Sequence, residues 1–299
     1  MTKGFITIAT GKEQYYKIAR NLLRSYRYTT ESPLPFAILC EEENEYTKEF
    51  DVVRVYPKAT RSYLDKVEMF ELLPFDINIF IDADCLCFSD INHLFDIYED
   101  ADDFCCYGRV LPLDDKTGWF EYDNLNADLQ KQINYVVGLH GGIYYMRKTE
   151  KCKKVLEDAK AFSKTYADYK FKGKFETPGD EPVVALSMAV NDCKPISFKY
   201  HSIVCYWEHE NNLELDIKNA VAVSKDKGES YDIVHWGTRF TTSIPYKKVM
   251  VDLETELNCE TTYKITIKDY WQEISKKSNT IVLLPERIVR KIKRILSNI

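Results

Sequence analysis

Four short apolar runs, spaced by helix-patterned or polar segments, restrict the fold of this chain more than any other feature. They are Phe5–Thr10 (FITIAT), Pro35–Cys40 (PFAILC), Asp51–Val55 (DVVRV) and Ile77–Asp82 (INIFID). Runs this short, rich in β-branched residues and with little polar alternation, are strands buried on both faces rather than helices. Between them, Glu13–Tyr26 places Tyr15, Ile18, Ala19, Leu22 and Leu23 on one helical face. Ser62 is placed to cap a second helix running to Leu73, where Pro74 stops it. This β-α-β-α-β rhythm predicts an α/β fold, a mainly parallel sheet with helices on both faces.

The rhythm loosens after Asp84. Phe104–Tyr107 reads as a strand, 110–137 as an irregular, aromatic loop region, and Leu139–Met146 (LHGGIYYM) as another strand. Thr149–Tyr169 has the pattern of a charged amphipathic helix. Gly179-Asp180-Glu181-Pro182 opens a further helix to about Val190, with proline tolerated in its first turn. Ile196–Tyr206 and Tyr231–His235 complete the strand candidates. The expected organisation is one domain over 1–245 and an appendage over 246–299.

Composition narrows the class. The 299 residues, 45% of them hydrophobic, suffice for a sizeable core. A balance of 41 basic against 47 acidic side chains, net −6, argues against a general nucleic-acid binder. The N-terminus carries too short an apolar run for a signal peptide, and no segment reaches the roughly 20 apolar residues that span a bilayer. Nine scattered cysteines, two of them adjacent (Cys105-Cys106), and no Asn-X-Ser/Thr sequon favour a cytoplasmic protein. Cys85 and Cys87 lack a second Cys/His pair at zinc spacing and read as strand packing.

The sharpest chemical feature is Phe80-Ile81-Asp82-Ala83-Asp84. In an extended chain, carboxylates at i and i+2 point the same way. Here they stand at the carboxyl end of an apolar strand, where open α/β sheets bind ligands. Two adjacent buried carboxylates are costly unless a cation offsets them. A hard divalent ion carrying a phosphate-bearing ligand does so, and a solvated turn with a helix cap is the bland alternative. Far downstream, His235 ends an apolar strand and is followed by Trp236-Gly237-Thr238-Arg239. Its imidazole either reaches the same metal or is a structural histidine. Arg239 either clamps a phosphate or faces solvent. Asp180 and Glu181 stand at a helix N-terminus, where acidic residues are also ordinary.

Taken in order, FITIAT, FIDADCLCFSDI, LHGGIYYMRK, GDEPVVALSM and VHWG resemble the GT-A glycosyltransferases, specifically the glycosyltransferase family 8 group that includes glycogenin and bacterial lipopolysaccharide galactosyl- and glucosyltransferases. The resemblance covers about residues 4–245. It implies a Rossmann-like GT-A domain with a C-terminal helical appendage, moving a hexose from a nucleotide-sugar to a glycan or lipid-linked glycan with retention. It also implies Mn2+ (or Mg2+) held by Asp82, Asp84 and His235 and bridging the diphosphate of a UDP-sugar donor.

Further implied donor contacts are Thr7, Ala9 and Thr10 at the uridine edge, Ala83 between the two aspartates, and Lys66, 16 residues before Asp82. Lys66 also reads as a surface lysine on a helix. His140-Gly141-Gly142 stands where relatives usually carry Asn-Ala-Gly. Gly237 is kept, but Thr238-Arg239-Phe240 replaces the usual Lys-Pro-Trp, leaving Arg239 as the candidate diphosphate cation. Asp180 takes the position that reaches the donor sugar. Glu181 takes that of a common glutamine beneath the anomeric carbon, as nucleophile or electrostatic stabiliser. Tyr107, Trp119, Phe120 and Tyr122 either stack on an acceptor glycan or pack in the core.

The tail 281–299 (IVLLPERIVRKIKRILSNI) has Ile288, Val289, Ile292, Ile295 and Leu296 on one stripe and basic residues around it. Such a basic amphipathic helix lies on an anionic membrane surface or packs on its own domain. The resemblance favours a peripheral position on the cytoplasmic face of the membrane. Two other function classes fit parts of the pattern. One is a non-catalytic nucleotide-sugar or glycan-binding module. The other is a sugar nucleotidyltransferase, for which Thr10-Gly11-Lys12 is too slight a phosphate loop.

Overall fold

A computed structural model describes residues 1–172, 178–197, 202–210 and 212–271 and divides the chain into two compact units, Met1–Thr238 and Arg239 onward. The first unit opens with strand β1 (Lys3–Ala9), helix α1 (Glu13–Thr29), β2 (Phe36–Cys40), β3 (Val52–Val55), β4 (Ile77–Ile81) and β5 (Cys85–Cys87). It continues with α2 (Leu94–Ile97), β6 (Phe104–Leu111), α3 (Ala127–Gln132), β7 (Val136–Arg147), α4 (Glu150–Lys164) and α5 (Asp180–Val190). Five short strands follow: β8 (Ile196–Ser197), β9 (Ile203–Cys205), β10 (Leu213–Asp216), β11 (Val221–Ser224) and β12 (Ile233–His235). In the second unit, α6 (Ile244–Glu256) is capped by Ser243, whose hydroxyl accepts from the Tyr246 N–H.

The central sheet has the order β3-β2-β1-β4-β7-β6-β8. β3, β2, β1 and β4 run parallel, and β7 is antiparallel to both β4 and β6. Every residue of β2 is fully buried, as an apolar strand covered on both faces must be. Alternation along the strands divides the core in two. Ile6, Phe80 and Tyr144 face one side with residues of α4 and α5, whereas Phe5, Ile79 and Ile81 face the other with residues of α1. Helix α5 is apolar nearly all round because it is enclosed; Val183, Val184, Leu186 and Met188 are all fully buried. This is the GT-A α/β architecture expected from the sequence.

A three-stranded sheet, β5-β12-β9, matters most for the site. β12 runs antiparallel to β5 and parallel to β9, so His235 lies in register with both Cys85 and Cys205. Cys85 and Cys87 are strand-packing residues, and all nine cysteines are free thiols.

Several local expectations are corrected. Ser62–Leu73 is not one α-helix but two 3-10 turns, Tyr63–Glu68 and Phe70–Leu72. The Asp65 carboxylate accepts from the N–H groups of Thr60 and Arg61, a local side-chain bond that competes with helical geometry. Within 110–137, β6 extends to Leu111, Asn126 caps α3 and β7 begins at Val136. The described residues of Ile196–Tyr206 include strand at β8 and at β9. Tyr107 and Phe120 belong to the core, while Trp119 and Tyr122 are half-buried. The basic tail 281–299 lies outside the described residues. Among the described residues, no helix is long and apolar enough to cross a membrane.

Candidate active site at the carboxyl end of the central sheet

Immediately after β4 the chain turns, with the Cys85 N–H donating to the Asp82 carbonyl at 3.0 Å. Asp82-Ala83-Asp84 is therefore a turn, not the extended segment that alternation predicts. The carboxylates converge nonetheless, on His235. Its Nε2 lies 3.0 Å from Asp84 Oδ1 and 3.7 Å from Asp82 Oδ2. Strand β12 delivers the ring, since it pairs with β5 directly beyond the turn and its Trp236 N–H donates to the Asp84 carbonyl at 3.0 Å. Trp236 is fully buried and stacks on Tyr206 with ring centroids 4.3 Å apart, which anchors the strand end. Gly237, at φ 67°, supplies the left-handed turn that follows. Thr238 Oγ1 then donates to Asp84 Oδ2 at 3.0 Å.

Lys66 is the second organiser. Its buried Nζ lies 2.8 Å from Asp82 Oδ1, 3.1 Å from Asp180 Oδ2 and 3.1 Å from the Gly141 carbonyl. The rings of Phe80 and Tyr144 flank it with centroids at 5.3 and 5.7 Å. Tyr144 Oη donates to Asp180 Oδ2 at 2.6 Å, and the Gly141 N–H donates to Glu181 Oε1 at 2.8 Å. That approach of α5 to β7 requires a glycine, because a Cβ on residue 141 would lie 2.7 Å from Glu181 Cγ. The Gly142 carbonyl accepts from the Asp82 N–H at 3.0 Å. Asp82, Asp84, His235, Lys66, Asp180 and Glu181 thus form one cluster, as the sequence reading required of a site.

The remaining candidates are placed as follows. Thr7 and Ala9 are buried on the α1 side of β1, and Thr10 Oγ1 donates to Asp65 Oδ2 at 3.0 Å. His140 meets the cluster through the other side of the His235 ring, its Nε2 3.4 Å from His235 Nδ1. Arg239 begins the second unit, exposed, with its guanidinium 4.6 Å from the Phe240 ring centroid. Tyr144, Thr238 and Cys205 were not singled out by sequence. Tyr144 shares the strand parity of Gly142 in LHGGIYYM, a usable signal, and Thr238 sits inside the His-Trp-Gly-Thr motif. Cys205 carries no signal of its own.

Burial opposes charge on both aspartates. For Asp84 the His235 ring and the Thr238 hydroxyl outweigh it and hold the carboxyl below the usual range. For Asp82 burial prevails over Lys66 and pushes the carboxyl up. Burial also opposes the His235 imidazolium, but the two carboxylates outweigh it and raise the ring. Burial, with His235 second, pushes His140 down to about 3. Glu181 is pushed up to about 7 by burial and then by Asp180. Asp84 Oδ1 and Asp82 Oδ2 lie 3.0 and 3.7 Å from His235 Nε2, oxygen and imidazole donors of the kind a hard divalent ion takes, and Lys66 holds the Asp82 and Asp180 carboxylates beside them.

Two measurements follow. Lys66→Met should lower the unfolding free energy at pH 8 by about 3–5 kcal/mol, the cost of stranding buried charge. The loss should shrink at pH 5, because the stranded Asp82 carboxyl, which burial already pushes up, then takes up a proton. Urea unfolding at both pH values checks this, and an equal loss at both removes charge as the cause. For Glu181, a carboxyl raised to about 7 costs the folded state stability as pH climbs from the unfolded value near 4.5 to about 7. Glu181→Gln should therefore be more stable than the parent chain at pH 8, by up to about 3 kcal/mol. The two should be nearly equal at pH 4.

No protein-family model matches the sequence, and no curated protein matches it either. Solved structures do resemble the fold. An active-site mutant of LgtC aligns with a TM-score of 0.50 at 11% identity over 80% of this chain and 94% of that one. Mouse xyloside xylosyltransferase 1 aligns at 0.48 and 13% identity, over 80% and 99% of the two chains. The glycosyltransferase GlyE of Streptococcus pneumoniae TIGR4 aligns at 0.43 and 11% identity, over 67% of this chain. The chain spans about half, 46%, of the length of GlyE. The likeness to LgtC is one of fold, and the fold is GT-A.

Proposed function

We propose that the chain is a metal-dependent glycosyltransferase that moves a hexose from a UDP-sugar to a glycan or lipid-linked glycan, with retention of anomeric configuration. The observation that carries this reading is the convergence of Asp82, Asp84 and His235 beyond β4, joined through Lys66 to Asp180 at the start of α5. Asp82, Asp84 and His235 Nε2 are the residues that would hold Mn2+ or Mg2+. When bound, that ion supplies Lewis-acid stabilisation to a departing diphosphate.

The chain's own residues do the rest in this reading. Lys66 neutralises the shared charge of Asp82 and Asp180, so that neither carboxylate swings away from the other. Tyr144 and Lys66 both hold Asp180 Oδ2, which orients that carboxylate for hydrogen bonds to donor hydroxyls. Glu181, fixed by the Gly141 N–H, supplies a negative group opposite the departing diphosphate. It acts there as nucleophile or as electrostatic partner of an oxocarbenium-like centre.

A nucleotide-sugar hydrolysis panel, run with and without Mn2+, tests the proposal on the parent chain and Asp84→Ala. We expect one donor to release its nucleotide in a Mn2+-dependent manner, and Asp84→Ala to slow that release by about 100-fold or more. No metal-dependent turnover with any donor would sink the enzyme reading.

A further inference from the structure

The two nitrogens of the His235 ring face different chemistry. Nε2 faces the carboxylates, while Nδ1 lies 3.4 Å from His140 Nε2, which in turn lies 3.0 Å from Cys205 Sγ. The donor atoms of His140, Cys205 and His235 all lie within 4.8 Å of one another. Registry of β12 with β9 puts His235 and Cys205 side by side, and β7 brings His140 against them. Two imidazoles and a thiol converging on one point form a soft donor set, unlike the all-hard carboxylate side.

We propose that His140 Nε2, Cys205 Sγ and His235 Nδ1 form a second, thiophilic metal site that takes Zn2+. The spacing fits. Zn–N bonds of about 2.0–2.1 Å and a Zn–S bond of about 2.3 Å give tetrahedral edges of roughly 3.3–3.6 Å. The observed 3.4 Å N–N separation already matches, and the 3.0 Å N–S pair has to open by about half an ångström. The ligands around the ring are arranged as zinc sites require. With Nδ1 on the metal, His235 carries its proton on Nε2 and donates it to Asp84 at 3.0 Å, the carboxylate–histidine–zinc arrangement that fixes ring orientation.

Binding would release the Cys205 thiol proton and move the His140 ring proton to Nδ1. That sets aside one 3.2 Å contact, in which the Gly142 N–H donates to His140 Nδ1, in exchange for metal bonds. Gly142 also has to be a glycine here, since a Cβ would lie 2.6 Å from His140 Cε1 and 3.1 Å from His235 Nδ1. Zinc on Nδ1 leaves Nε2 protonated and so withdraws it from the hard-ion set. The two sites are therefore antagonistic through one ring. The zinc proposal does not rest on the glycosyl-transfer reading, because it needs only these three side chains.

Cobalt substitution tests it without an activity assay. The metal-free 299-residue chain, titrated with Co2+, should bind one equivalent with intense tetrahedral visible bands and a thiolate-to-cobalt charge-transfer band. Cys205→Ser should abolish the charge-transfer band, and His140→Ala should weaken Co2+ binding at least tenfold. Asp82→Asn should keep both signals. X-ray absorption at the zinc edge of the parent chain, which needs no variant, should find one sulfur and two imidazoles around the metal. An oxygen-only shell, a charge-transfer band that survives Cys205→Ser, or one that disappears in Cys85→Ser while Cys205→Ser retains it would overturn the proposal.

Discussion

The ammonium of Lys66 ties the start of α5 to the end of the β4–β7 ladder. Its carboxylate and carbonyl partners come from the turn after β4 (Asp82), the start of α5 (Asp180) and the middle of β7 (Gly141). Taking an ammonium out of water is costly, and good geometry with several acceptors is what offsets it. Here the geometry is over-determined: Tyr144 pins Asp180, and the Gly142 carbonyl holds the Asp82 N–H. The segment that carries Lys66 is fixed in turn by Asp65, which accepts from Thr10, Thr60 and Arg61. Two adjacent residues of one short 3-10 turn thus contact the residue after β1, the turn after β4, the middle of β7 and the start of α5.

The His235 ring divides the chemistry built on that frame. On one side are the carboxylates proposed to hold a hard ion; on the other are the imidazole and thiol proposed to hold zinc. A single histidine contributes to both because β12 is wedged between β5, which follows the aspartates, and β9, which ends in Cys205. The two proposals above draw on the same strand, one through each nitrogen of the ring.

Much of this was legible in the sequence, for identifiable reasons. The run FAILC reads as a strand enclosed on both faces and the periodicity of Glu13–Tyr26 as a helix, and β2 and α1 stand there. The aspartate pair, the late histidine, the lysine and the acidic start of α5 all read as site candidates, and they meet. What failed was local conformation. The aspartates converge through a turn because β5 must fold back onto β12, whose Thr238 neighbour lies 154 residues beyond Asp84. No local pattern encodes a pairing at that separation. The Ser62 cap signal was correct, yet Asp65 diverts the following residues into 3-10 geometry through bonds that periodicity does not register. Cys205 escaped notice because a cysteine in an apolar strand looks like packing until the partner strands are known.

The carboxylate cluster is the proposed seat of a metal–diphosphate, and calorimetric titration of UDP against the 299-residue chain measures this most directly. With Mn2+ present, UDP should bind at least about tenfold tighter than in chelator, a difference of at least 1.4 kcal/mol. Equal affinity for UDP with and without the metal, or no binding under either condition, would contradict it.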